Sequence, residues 1–70
     1  MNATVLQRMM QVSPFPVLEV RLNNGDVVRV DEPYEITIDK GDPCFTVHEG
    51  NTTHFVAYRN VTQILRRQPE

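Results

Sequence analysis

Leu18, Val20 and Leu22 alternate with Glu19, Arg21 and Asn23, and the same period of two returns in Val28 and Val30, in Tyr34, Ile36 and Ile38, in Phe45 and Val47, and in Phe55 and Ala57. A repeat of two sends successive side chains to opposite faces, so each block reads as a strand with one buried and one wet face. Glycine or proline cuts every block short, at Asn24-Gly25, Pro33, Gly41-Asp42-Pro43 and Gly50-Asn51-Thr52. A chain patterned this way folds as several short antiparallel strands joined by tight turns. The blocks predict strands over 16–23, 26–31, 34–39, 44–49 and 53–58.

Turn chemistry suggests how the strands align. Asn24-Gly25 tolerates positive φ, and an odd loop with Gly25 in a bulge places Val28 and Val30 opposite Leu22 and Val20. Gly41-Asp42 fits a two-residue II′ turn, which sets Ile38 against Phe45 and Ile36 against Val47. A three-residue loop at Gly50-Asn51-Thr52 sets Val47 against Phe55 and Phe45 against Ala57, and places His48 opposite His54 on the outer face. Residues 62–67 read either as a final strand with Ile64 buried or as a helical turn, and Gln68-Pro69-Glu70 as a frayed end.

The N-terminus has a different period. Val5, Met9 and Val12 recur at helical spacing, Thr4 with Gln7 fits a capping box, and Ser13-Pro14 stops the run, so a short helix is expected over 4–12. A helix this short is not stable alone and must lie on the strands.

The chain has 70 residues, enough for one small domain that buries roughly 60% of its unfolded surface. With 40% hydrophobic residues and a net charge of −2 it is not a disordered polymer, nor does it carry the basic balance of a dedicated nucleic-acid domain. Charge is unevenly placed. Residues 26–49 hold Asp26, Asp31, Glu32, Glu35, Asp39, Asp42 and Glu49 against Arg29 and Lys40, whereas residues 50–70 hold Arg59, Arg66 and Arg67 against Glu70. Cys44 is the only cysteine, so no internal disulfide forms. No apolar run approaches the ~20 residues of a membrane span, and none resembles a secretory leader. A cytoplasmic location and no membrane partner are therefore expected.

Two segments resemble Sm-like proteins of the Hfq type: residues 16–25, Pro-Val-Leu-Glu-Val-Arg-Leu-Asn-Asn-Gly, and residues 54–65, His-Phe-Val-Ala-Tyr-Arg-Asn-Val-Thr-Gln-Ile-Leu. The Phe15-Pro16 start, the alternating strand and the turn that follows it are also similar to a group of short uncharacterised bacterial proteins. The Sm-like resemblance implies an N-terminal helix followed by a strongly bent five-stranded antiparallel sheet closing into a small barrel. It implies rings that bind single-stranded RNA, with Tyr58 and Arg59 at the aromatic–basic positions; an RNA binder of this kind would use Arg66 and Arg67 as well. That family carries tyrosine–lysine–histidine where this chain has Tyr58-Arg59-Asn60, so part of the family site is missing. The net acidity also disfavours phosphate binding.

Residue chemistry points away from catalysis. Cys44 and His48 share a strand face but stand about 13 Å apart at strand rise, beyond hydrogen-bond reach. Paired carboxylates fall at turns, and no glycine-rich phosphate loop or zinc-finger spacing occurs. His48 and His54 are the nearest thing to metal ligands, and two are too few for a structural site. The sequence therefore reads as a non-enzymatic module with no cofactor, no metal and no evident small-molecule substrate. Its expected partner is protein, either itself or another chain, with Sm-like RNA binding as the alternative. Strand edges that need covering make an oligomer one expectation.

Overall fold

The computed structural model describes residues 1–67. One helix, α1 (Ala3–Met10), precedes six strands: β1 (Val17–Leu22), β2 (Val27–Val30), β3 (Ile36–Ile38), β4 (Cys44–Glu49), β5 (Thr52–Ala57) and β6 (Val61–Arg67). The strands form two three-stranded antiparallel sheets, in the orders β2-β1-β6 and β3-β4-β5. The fold is thus mainly β with a short N-terminal helix, as expected. The expected single five-stranded sheet closing into a barrel is not what forms, and among the described residues no strand pairing joins the two sheets.

The break lies between β2 and β3, where Pro33–Glu35 makes a 3₁₀ turn. Pro33 has no N–H to give a ladder. The Glu35 carboxylate accepts the N–H groups of both Asp31 and Glu32 at 2.8 Å, so these donors leave the sheet. The chain turns a corner there instead of bending one long strand through both layers.

β6 resolves the reading of residues 62–67 as a strand, and it pairs with β1 from Val17–Arg67 to Arg21–Gln63 before a bulge leads to Leu22–Val61. The Asn23 N–H donates to the Asn60 carbonyl at 2.8 Å and the Thr62 hydroxyl to the Arg21 carbonyl at 3.2 Å. These bonds tie the first hairpin to the 3₁₀ turn Tyr58–Asn60. The expected fraying at 68–70 lies outside the described residues.

Registers follow the expectations unevenly. Ile36–Val47 and Ile38–Phe45 pair as the pattern requires. Their turn is different, because Gly41 has no positive φ and the Asp42 N–H bonds to the Asp39 carbonyl at 3.1 Å. In the first hairpin Val28 faces Val20 and Val30 faces Leu18, two residues from the expected alignment but with the same faces buried. Gly25, at φ +93°, supplies the left-handed residue its three-residue loop needs.

The β4–β5 hairpin is shifted by one residue. Gly50 and Asn51 form a two-residue loop with Gly50 at φ +59°, and Glu49 pairs with Thr52, Val47 with His54 and Phe45 with Val56. A slip of one exchanges the faces of a strand. Val56 is buried and Phe55, expected inside, is 76% exposed. The slip lets Val56 and Tyr58, two residues apart, share the core face with Phe45 and Val47.

One core cluster holds both sheets and the helix: Leu6, Leu18, Val20, Val28, Val30, Ile36, Phe45, Val47, Val56 and Tyr58, with Ala3 at its margin. Leu6 is the anchor of α1 and is fully buried. The helix starts one residue before the expected boundary and ends two short of it. Its cap is Asn2 rather than Thr4, and the Asn2 side-chain oxygen accepts the Val5 N–H at 3.0 Å. Asparagine is a strong N-cap because its short oxygen reaches an orphan donor of the first turn.

Candidate functional site

Two features stand out from the core: an edge of β5 that is unpaired among the described residues, and a cavity at the start of α1. The edge follows from the β4–β5 register. The Tyr58 N–H donates to the Pro43 carbonyl at 3.0 Å, which fixes which pairs of that ladder exchange hydrogen bonds. Antiparallel ladders alternate, so Val56 and His54 bond to β4 while the backbone groups of Thr53, Phe55 and Ala57 point away from it. The exposed Phe55 ring stands on this same edge. Phe55 and Val27, the latter 53% exposed, flank a groove of about 400 Å³ whose walls also include Val28, His54 and Val56.

The other edges are protected. β2 carries Arg29, whose guanidinium meets the Asp31 carboxylate at 2.6 Å and is held above its ordinary pKa by that bond and charge. β3 is three residues long and follows a proline-bearing turn. β6 ends in Arg66 and Arg67. Charges, proline and shortness are the usual guards of a sheet edge. β5 reads Thr-Thr-His-Phe-Val-Ala and has no Lys, Arg, Asp, Glu or Pro.

The second feature lies where α1, the β3–β4 loop and the 3₁₀ turn after β5 meet. A cavity of about 420 Å³ is lined there by Asn2, Ala3, Lys40, Asp42, Cys44 and Arg59, among others. Tyr58 is also part of the wall. Its ring packs on Phe45 with centroids 5.1 Å apart and planes tilted by 43°. Its hydroxyl is buried and has no hydrogen-bond partner among the described residues. Burial first, and then the charges of Asp42, Cys44 and Asp39, hold the phenol above its ordinary pKa, so at neutral pH it is a proton donor.

The residues singled out in the sequence are dispersed. Tyr58 is buried and Arg59 is exposed beside the cavity. Arg67 lies at 3.1 Å from Glu19 across the β1–β6 pair, and Arg66 is exposed opposite Leu18. His48 and His54 do not face one another, because the slipped register places them on opposite faces of β5's sheet. His48 meets the Thr53 hydroxyl at 3.4 Å, and His54 meets the Glu49 carboxylate at 3.4 Å. Among the described residues no group of three or more His, Cys, Asp or Glu side chains is placed to hold a metal ion. Among them, also, no helix is long and apolar enough to cross a membrane.

Sequence reasoning missed two residues. Phe55 was hidden because Thr53/Phe55/Ala57 and His54/Val56/Tyr58 are both plausible inward sets, and only the loop length separates them. Lys40 was hidden because its partner in space, Arg59, is distant in sequence. In comparison with known proteins, no family model, curated protein or solved structure matches this chain.

Proposed function

We propose that this chain is a non-enzymatic module that self-associates through the β5 edge. The observation that carries the reading is the unguarded edge itself: six residues without a charge or proline, with the Phe55 ring 76% exposed on it. An extended edge of this kind recruits another strand, whose main chain supplies the bonds that water otherwise makes. A second copy suits it for two reasons. The net charge of −2 offers little repulsion between copies, and the acid-rich 26–49 segment complements the arginines of 59–67. β5 of a second copy is an edge of the same length and equally free of charge and proline.

The test is the native mass by light scattering behind a sizing column. The wild type is expected at a multiple of 8.1 kDa. Phe55→Lys is expected at the single-chain mass with an unchanged circular dichroism spectrum. Burying one phenylalanine contributes about 1.5–3 kcal/mol, so its loss weakens each contact by about ten- to a hundredfold. A wild type that stays monomeric at every concentration refutes the reading.

The second reading is an Sm-like single-stranded RNA binder. Arg59 beside a cavity that also holds Lys40 favours it. Against it stand the buried Tyr58 ring, which offers no face for stacking, and the engagement of Arg67 by Glu19. It predicts a salt-dependent affinity for oligo-U or oligo-A that falls in Arg59→Ala.

A further inference from the structure

The β5 strand is its own complement. Its main-chain groups on the side away from β4 belong to Thr53, Phe55 and Ala57, because His54 and Val56 bond to β4. Two antiparallel copies of this edge meet in few registers, since a residue whose groups face outward must lie opposite another of the same kind. With Phe55 opposite Phe55 of the second copy, Thr53 lies opposite Ala57 at either end. Those three pairs each exchange two main-chain hydrogen bonds, six in all. Centring the pair on His54 puts Ala57 opposite Asn51, in the loop before β5; centring it on Val56 puts Thr53 opposite Arg59, in the 3₁₀ turn after it. Either alternative keeps only two pairs and four bonds.

We infer that β5 pairs with β5 of a second copy in a closed, two-fold antiparallel dimer centred on Phe55. The inference rests on the self-association proposed above and specifies its partner strand, register and stoichiometry. The Phe55 ring, 76% exposed in the single chain, meets its own copy directly across the pair, where aromatic rings pack and lose water. No charge is trapped, for β5 has none and the outward positions of β3 and β4 hold only threonine, cysteine and histidine. The antiparallel sense brings the start of one strand, with Glu49 paired beside it, to the end of the other, which Arg59 follows; this happens at both ends of the pair, so opposite charges approach twice. Growth stops at two. The joined sheet runs β3-β4-β5 and then the same three strands in reverse, so it ends on β3 at both sides, a three-residue strand behind a proline-bearing turn. A pair of six-residue strands is a small interface of the weak, transient class, so the Kd is on the order of 10⁻⁵ M.

The test is amide exchange of the full chain, followed by nuclear magnetic resonance as the concentration rises, beside sedimentation equilibrium. The amides of Thr53, Phe55 and Ala57 are all expected to exchange about tenfold more slowly at ~1 mM chain than at dilutions that leave single chains. The mass is expected to level off at twice the 8.1 kDa of one chain. A mixture of isotope-labelled and unlabelled chains is expected to show an interchain contact between the Hα atoms of His54 and Val56, the pair without hydrogen bonds in this register. Thr53→Pro removes a main-chain donor that the β4–β5 ladder does not use, and is expected to weaken the dimer at least about tenfold with an unchanged circular dichroism spectrum. Arg59→Glu is expected to weaken it about threefold, and Glu49→Arg added to Arg59→Glu to restore it. A dimer in which Thr53 or Ala57 keeps its single-chain exchange rate, or whose interchain contact joins His54 to His54 or Val56 to Val56, overturns the register and leaves self-association standing. Growth beyond two copies does the same to the closed dimer. A chain that stays single at every concentration overturns both.

Discussion

Tyr58→Phe isolates a single atom. The phenol oxygen is buried and has no partner among the described residues, while the ring beneath it packs on Phe45 and belongs to the main core cluster. Phenylalanine keeps the ring and removes the oxygen. At a hydrogen-bonded site that exchange costs stability; here no bond is lost and a desolvation penalty of roughly 1–3 kcal/mol is relieved. Taking the lower end, about 1 kcal/mol, a domain of this size gains about 4–8 °C in melting temperature. Urea unfolding is the cleaner assay, because a raised midpoint at unchanged slope reports stability alone. The pH dependence supplies a second readout. The Tyr58 pKa is raised in the folded chain, so the folded state holds its proton where the unfolded state has released it. The stability carried by that proton is complete below the unfolded pKa near 10 and is lost as pH rises through the folded pKa. The stability advantage of Tyr58→Phe over the wild type therefore widens in alkali. A variant less stable than wild type by about 1 kcal/mol at neutral pH refutes the reasoning, since the hydroxyl must then have an acceptor in the folded chain.

Two further perturbations address the helix. Leu6→Ala removes the fully buried leucine by which α1 joins the core cluster, and a loss of about 2–5 kcal/mol by urea unfolding is expected; a loss below 1 kcal/mol means that the helix is not docked as described. Asn2→Ala deletes the acceptor of the Val5 N–H and is expected to cost about 1 kcal/mol, visible as faster amide exchange in the first turn and an unchanged core.

Much of this fold was legible along the chain because the signals are local. A period of two in a short block specifies a strand and names its two faces, and Asn24-Gly25 and Gly50-Asn51 mark turns whatever surrounds them. Val20, Val28, Val30, Ile36, Phe45 and Val47 were all placed inside by that pattern, and all are buried. The helix was legible for the same reason, although its cap was displaced to Asn2, since Asn2 and Thr4 are both competent caps and the docking of Leu6 decides between them.

What only the tertiary structure decided is how the strands meet. A β4–β5 loop of two residues or of three satisfies the local pattern equally, because the faces of β5 carry Phe55 with Ala57 on one side and Val56 with Tyr58 on the other. The shared core with Phe45 selects the second set. That selection turns Phe55 out to the edge, separates His48 from His54 and buries the Tyr58 hydroxyl. Both candidate sites stem from that one-residue choice. The division into two sheets has a local cause, Glu35 taking the N–H groups of Asp31 and Glu32 away from β2, but the pattern of two does not reveal it. Sequence specifies which face each strand wants to bury; the alignment of faces is settled by side-chain volumes contributed from positions far apart in the chain, and the cavity between Lys40 and Arg59 exists only after that settlement.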